Sequence, residues 1–437
     1  MTATGLQRNF FWMLASKAAI VLAALITWSL MNRSLGPADR GFLAEMQTWV
    51  GLFMAGFGIS IDTAIYHFAN KAVYGDDDKS RFITILSLSF LYAFLASAAL
   101  IIFVSFWPQQ VSSKTIQFLT FLILLLFFNM QAAYLTVFFQ ALGNIRFSAL
   151  IGMLQAAINI LMIGGGYALG FLNLRYAVVA LVVVQAASLA LIIVKGFRTG
   201  FFKGQFSKVL AKGMITAGLK QHLGTISTYI YTRINQLIVF KYCGEAQAGL
   251  FAVSLTLSMS LIIIPYTYQA ALYPRVIQFA DDSEVTMKSL RLGFYVWGGI
   301  TLIIVALARP LLLMYAGPAY VASVGIFRIL MIAAWFLSLS TFIAPYYIKK
   351  GAFVLYSLSA VFLAFFGIGI NYLLVPSSGP MGAAVATAIT SFIGFGISLL
   401  LFYHLSKRNP LEIFRPDFKN EIEFVRQLYR NITKLWE

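Results

Sequence analysis

A single cysteine, Cys243, stands in the 437-residue chain, so no intrachain disulfide and no thiolate metal cluster can form. The three histidines, His67, His222 and His404, fall singly at the ends of apolar segments. They read as interfacial side chains, neither metal ligands nor a proton relay. Acid is scarce too, with 15 Asp and Glu against 32 Lys and Arg and a formal net charge of +17. Also missing are the glycine loop and lysine of nucleotide binding, a His-Glu-x-x-His pair and a Gly-x-Ser-x-Gly elbow. Primary pumping and two hydrolase classes lose support, and no catalytic residue, cofactor or metal site is expected. Charged residues make up only 11% of the chain against 60% hydrophobic, with mean hydropathy +0.84. No soluble domain of this size carries that balance.

What the chain has instead is a succession of apolar runs of about twenty residues or more, the length a helix needs to cross a hydrocarbon core of roughly 30 Å. They lack the alternation of barrel strands, so the spans are α-helical. Twelve are placed, at 10–31, 42–66, 82–107, 115–141, 147–171, 176–195, 222–240, 250–272, 291–314, 322–347, 352–375 and 381–403. The first has no persuasive cleavage motif after it and is longer than a signal-peptide core, so it counts as a span. With a cytoplasmic N-terminus, the outer loops hold only Arg33, Arg40, Lys114, Arg175 and Lys241, and the other loop and tail cations lie inside. This bias sets both termini in the cytoplasm and makes the positive charge chiefly an orientation signal, not a nucleic-acid footprint.

The chain repeats itself. Leu35 to Ala44 reads LGPADRGFLA and Cys243 to Ala252 reads CGEAQAGLFA, with Gly36, Ala38, Gly41 and Ala44 matched at an offset of 208 residues. The expected architecture is an all-α polytopic membrane protein with two six-helix lobes, residues 1–195 and 222–404, related by a parallel pseudo-two-fold repeat about the membrane normal. A cavity shared by the halves follows. Residues 196–221 form a basic linker whose Phe201, Phe202, Phe206, Val209 and Leu210 suit an anionic inner leaflet. Residues 405–437 form a cytoplasmic tail in which Ile422, Val425, Leu428, Tyr429 and Ile432 recur at helical spacing beside Arg426 and Arg430, the pattern of an amphipathic surface helix.

Polar residues inside the spans carry the functional reading. In span 7, Thr225, Thr228, Tyr229, Thr232, Arg233 and Gln236 share one helical face, and Ile226, Ile230, Ile234 and Leu237 share the other. Arg233 near the middle costs roughly 3 kcal/mol on insertion scales unless it meets water or a counter-charge, so the polar face needs a cavity. Lys17 in span 1 either snorkels or lines a lumen, and Arg309 and Arg328 near the outer side face the same choice. In span 2 the stripe Thr48, Gly51, Ala55, Gly58 favours close helix contact, while Asp62 must pair, take a proton or touch water. Asp76, Asp77 and Asp78 read as a solvated loop. Span 4 sets Asn129, Ala133, Thr136 and Gln140 on a stripe, and span 5 does the same with Ser148, Gly152, Gln155, Asn159 and Gly166, which points to a hydrated interior. With Arg233, Lys17, Arg328 and Arg309 as the candidate interior cations, the substrate is an anion, and a planar guanidinium suits phosphate.

Leu35-Gly36-Pro37 through Gly41, Gly244 through Ala252, Gly317-Pro318-Ala319-Tyr320, and Gly379 with Gly382-Ala383-Ala384 give the chain its likeness. In their order and spacing they resemble the Wzx-type polysaccharide and O-antigen flippase family, a branch of the multidrug/oligosaccharidyl-lipid/polysaccharide exporter superfamily. The resemblance implies movement of an undecaprenyl-pyrophosphate-linked repeat unit, for O-antigen lipopolysaccharide or exopolysaccharide, across the bacterial inner membrane by alternating access. It also implies polysaccharide polymerase and chain-length proteins as partners, and the family's cationic lumen maps onto Arg233 and Lys17. One departure stands out: relatives commonly have an acid two residues after the span 7 arginine, and here the residue is Asn235. Coupling to H+ or Na+ then falls to Asp62 or Glu45 or is absent; Gln155, Asn159, Asn235 and Gln236 complete the polar lumen. Two other readings stay open: a multidrug/cation antiporter of the superfamily, which needs interior acids, and a non-transporting subunit of a polysaccharide assembly complex. A membrane glycosyltransferase finds neither catalytic acids nor a substantial outer loop.

Overall fold

The structure, a computed structural model, describes residues 3–69, 77–263 and 282–415 together with 265, 266 and 269, and for residues 3–18 the backbone alone. The amphipathic tail beyond residue 415, the side chain of Lys17 and Asp76 lie outside the described residues. Among the described residues all regular structure is helical. In hydrocarbon each backbone N–H and C=O needs a partner within the chain, and a helix supplies one for every residue.

Among the described residues, eight helices are long and apolar enough to cross a membrane. Two of them, Ala19–Phe57 and Val354–Ser406, run to 39 and 53 residues, about twice what one crossing needs. Each is broken by a glycine, at Gly36 (φ 70, ψ 175) and Gly379 (φ 58, ψ −142). The helix Lys208–Leu261 is broken alike at Gly244 (φ 80, ψ 178), and its polar face keeps it below the apolarity of the others. Each broken helix therefore holds two spans, which accounts for the twelve. At positive φ an L side chain meets the backbone, and glycine removes the clash, so Gly36 and Gly244 turn the chain back within one residue.

These turns also carry the repeat. Gly36 and Gly244 share nearly one conformation, and Gly143 (φ 78) and Gly351 (φ 68) stand at the same offset. Gly170 and Gly379 lie one residue beyond that offset, and Gly200 and Lys407 one residue short of it, all at positive φ. The repeat is thus one of backbone punctuation as well as of residues.

One compact unit runs Trp12–Gly249, and a second takes up the chain from Leu250 together with the start of the first helix. The first has an aromatic centre in which Phe82 meets Phe138, Phe201 and Phe202 at ring separations of 5.3–5.6 Å. Phe201 and Phe202, expected on the leaflet, thus turn inward after the Gly200 turn, while Phe206 and Val209 stay exposed. The second half of the expected linker is helical, in a helix that begins at Lys208 and runs on into span 7. The second unit gathers Phe294, Trp335, Phe336 and Phe395, with Phe414 of the chain's last described turn against Phe294 at 5.4 Å. Phe94, Leu161 and Phe365 are about 70% exposed, which only a hydrocarbon surround makes inexpensive.

Span 2 departs from the single helix expected at 42–66. Its helix ends at Phe57, Ile59 and Ser60 take φ 47, and a new helix covers Ile61–Phe68. A β-branched residue at positive φ costs about 1 kcal/mol or more, so the surroundings must impose it. Two contacts do so: Tyr134 Oη donates to Gly58 O at 3.1 Å, and Ser60 Oγ donates to Thr225 Oγ1 of span 7 at 2.9 Å. Within the next loop the Ser80 side chain, and then its backbone N at 3.0 Å, hydrogen-bond the Asp77 carboxylate and hold it below the usual range, and Asp78 pairs with Arg81 at 2.6 Å. These two acids start the helix Asp78–Phe106.

Candidate functional site

Span 7 lies along span 2. Tyr229 Oη donates to Thr48 O at 2.9 Å, and a Cβ at Gly51 would collide with the same hydroxyl. The small-residue stripe of span 2 is therefore a helix contact, as its spacing predicts. Arg233 follows Tyr229 by one turn, exposed and without a hydrogen bond or ion pair among the described residues. The other residues of that face diverge. Thr228 and Thr232 return their hydroxyls to Gly224 O and Thr228 O of their own helix. Gln236, grouped with Arg233 on the wheel, is buried, and its Nε2 donates to Ala248 O at 3.0 Å across the Gly244 turn. Asn235 is also buried, its Oδ1 accepting from Gln236 N at 2.8 Å. Gln236 thus ties span 7 to the far side of the turn, while Asn235 is buried against its own helix.

At the Gly36 end, the two copies of the repeated motif meet each other. A Cβ on Gly41 would run into the carbonyl oxygen of Glu245, and one on Gly249 into that of Pro37. Gly41 and Gly249 are equivalent by the repeat, as are Pro37 and Glu245, so the contact is reciprocal. Lys114 fastens it: its Nζ donates to Asp39 Oδ1 at 3.0 Å and to Glu245 Oε2 at 2.6 Å. Desolvation alone would lower the ammonium's pKa, but the hydrogen bonds and charges of Glu245 and Asp39 outweigh it and hold the group above its ordinary value.

Glu45 holds the turn that carries this lysine. It is fully buried in the helix after Gly36, and its Oε1 accepts from Trp49 Nε1 at 3.1 Å and, more weakly, from Ser112 N at 3.4 Å. Its Oε2 accepts from Thr115 Oγ1 at 3.2 Å. All three partners are neutral. Arg40, counted among the outer-loop cations, is buried, with Nε donating to Asn32 Oδ1 at 3.1 Å and its guanidinium 4.1 Å from the Trp28 ring centroid. Asn32 and Arg40 bracket the Gly36 turn and so brace it.

The remaining candidates are scattered. Asp62 is exposed in the first turn of Ile61–Phe68. Gln155 Nε2 donates to Gln185 Oε1 at 3.3 Å, and Asn159 one turn on is half-buried. Arg328 donates Nε at 3.2 Å to Val305 O, in the last turn of the helix Gly298–Ala306, and Arg309 is exposed. Arg328 thus has a structural use that its spacing does not reveal. Among the described residues no group of His, Cys, Asp and Glu is placed to hold a metal ion. Asp39, Lys114 and Glu245 escaped the sequence reading because each by itself is an ordinary loop charge. The only available signal was that Asp39 and Glu245 stand in the two copies of the repeated motif.

No family model matches the chain, and no curated protein matches it. Solved structures do. A multidrug resistance MATE family transporter of the MOP superfamily, in an inward-facing conformation, aligns with a TM-score of 0.68 at 15% identity, over 89% of this chain and 96% of its own. The lipid II flippase MurJ in an inward closed conformation aligns at 0.66 and 14%, over 97% and 98%. A mutant of the MATE transporter VcmN of Vibrio cholerae aligns at 0.65 and 13%, over 94% and 99%. At these identities the likeness is one of fold. The chain has the twelve-helix, two-lobe fold of membrane transporters and flippases, and these neighbours are transporters, not enzymes.

Proposed function

We propose that the protein is a flippase that moves an undecaprenyl-pyrophosphate-linked oligosaccharide, an O-antigen or exopolysaccharide repeat unit, across the bacterial inner membrane by alternating access. The observation that carries this reading is Arg233, a guanidinium exposed within a membrane-spanning helix and without an acid partner among the described residues. Such a group needs water and an anion, and its planar donors match a phosphate. MurJ, a neighbour in fold, is a flippase for a lipid-linked substrate by its name, and that supports the substrate class. A cation antiporter would want exposed acids in the spans. Glu45 is spent on Trp49, Ser112 and Thr115, which leaves Asp62 as the group in favour of that second reading.

In this scheme both termini are cytoplasmic, and residues 1–195 and 222–404 act as the two moving lobes. The pyrophosphate and glycan enter from the cytoplasm to Arg233, with Lys17 assisting, while the polyprenyl tail stays in lipid. Release of the Lys114 clasp then lets the exterior side open, and the glycan leaves there. Asp62 is the acid on which H+ or Na+ coupling would act, and polymerase and chain-length proteins would take up the product. The test is a reconstituted leaflet-translocation assay with a lipid-linked oligosaccharide. At equal incorporation, Arg233→Ala should lose at least tenfold in rate, a loss that Arg233→Lys recovers in part; wild-type rates from the alanine variant would end the proposal.

A further inference from the structure

At the end of span 7 opposite the Lys114 clasp, the helix beginning at Lys208 and the short helix Ile61–Phe68 flank an open groove of about 440 Å³. Lys212, Thr216 and Lys220 line it at four-residue spacing, so they stand on one helical face over about 12 Å of rise. Phe68 forms the facing wall, and it fits there because Gly213 has no Cβ to meet its ring. Both lysines are exposed, and neither has an ion pair among the described residues. The rim is apolar: Val209, which lines the pocket, is 83% exposed, and Leu219 and Leu223 are more than half exposed. Side chains of that kind on a spanning helix face acyl chains, so the two ammonium groups sit where hydrocarbon gives way to head groups.

Two such cations at that depth, beside a hydroxyl and above an apolar wall, complement a phosphate with acyl chains attached. We propose that this pocket holds the head group of an anionic glycerophospholipid of the cytoplasmic leaflet, with Lys212 and Lys220 on the phosphate oxygens. Phe68 and Val209 would lie against the first acyl carbons. Thr216 donates its hydrogen to Lys212 O at 2.8 Å, so its oxygen remains free to accept from a glycerol hydroxyl. The site rests on the orientation proposed above and not on what is transported. It would moor the inner end of span 7 while the opposite end is released.

The test measures lipid retention and requires no transport. The full chain is purified in detergent, incubated with phosphatidylglycerol and with phosphatidylcholine, and weighed by native mass spectrometry. Wild type and the surface control Lys203→Gln should retain phosphatidylglycerol over phosphatidylcholine. Lys212→Gln/Lys220→Gln should lose that preference by on the order of tenfold, and Lys212→Arg/Lys220→Arg should keep it. Millimolar inorganic phosphate should fail to displace the lipid. Equal retention by the glutamine pair, or displacement by phosphate, would overturn the proposal. So would binding of undecaprenyl phosphate in place of phosphatidylglycerol, which would assign the pocket to a polyprenyl substrate.

Discussion

Removing Lys114 tests how the Gly36 end is kept shut. Its side chain is 30% exposed, and its partners Asp39 and Glu245 are 33% and 25% exposed, so water screens both ion pairs in part. Pairs of this kind contribute about 0.5–1 kcal/mol each. Losing both in Lys114→Ala shifts an opening equilibrium by about 1–2 kcal/mol, or roughly five- to thirtyfold. The chain supplies its own reporter, because its one cysteine, Cys243, precedes Glu245 by two residues and is partly buried. Burial pushes the thiol's pKa up, so it reacts slowly while the turns are fastened, and hydration on opening restores thiolate. Maleimide labelling of Cys243 should therefore accelerate about five- to thirtyfold in Lys114→Ala. Wild type in 1 M salt should approach the variant, since the screening length falls to about 3 Å. The clasp's dependence on pH has a definite sign. A lysine held above its ordinary value contributes fully below about pH 10.4 and is lost only as pH rises through the elevated value, so its own titration leaves labelling near neutrality unaffected. An unchanged labelling rate in Lys114→Ala would refute the clasp.

Two further substitutions separate the parts of this assembly. Gly41→Val places a branched side chain against the carbonyl of Glu245, and overpacking of about 1–3 kcal/mol should wedge the turns apart. Cys243 labelling should then be fast at low and high salt alike, and a variant still slowed at low salt would contradict the close approach. Glu45→Ala leaves the indole of Trp49, the amide of Ser112 and the hydroxyl of Thr115 without their acceptor, which costs about 1–3 kcal/mol. A fall in thermal stability in detergent, together with faster Cys243 labelling, is expected, and an unchanged melting profile would show that the Ser112–Thr115 turn holds without Glu45.

Much of the fold was legible in the residues because a membrane restricts the choices. Twelve apolar runs, the glycine turns and the 208-residue repeat each follow from local chemistry, since hydrocarbon demands helices and a one-residue reversal demands positive φ. The break in span 2 was not legible. Its Gly58-Ile59-Ser60 sequence has no local reason to abandon the helix at a β-branched residue, and the bend is imposed by Tyr134 and Thr225 from other helices. Phe201 and Phe202 likewise carry the composition of a membrane-surface segment, and the Gly200 turn aims them at Phe82 instead.

The candidate site divides along the same line. Arg233 was conspicuous from its sequence alone, because the cost of burying a guanidinium in lipid is a property of the residue and its apolar neighbours. Gln236 shares its helical face but not its surroundings, since only the hairpin decides that Ala248 O claims its amide. Lys114 lies 75 residues from Asp39 and 131 from Glu245 in the chain. No periodicity reaches that far, and a loop charge acquires a role only when another loop of opposite charge is brought within about 3 Å. The sequence determined the helices, their reversals and the arginine that needs an anion. The tertiary structure decided which charges close the turns, because pairing depends on distances between segments that the chain's local chemistry does not encode.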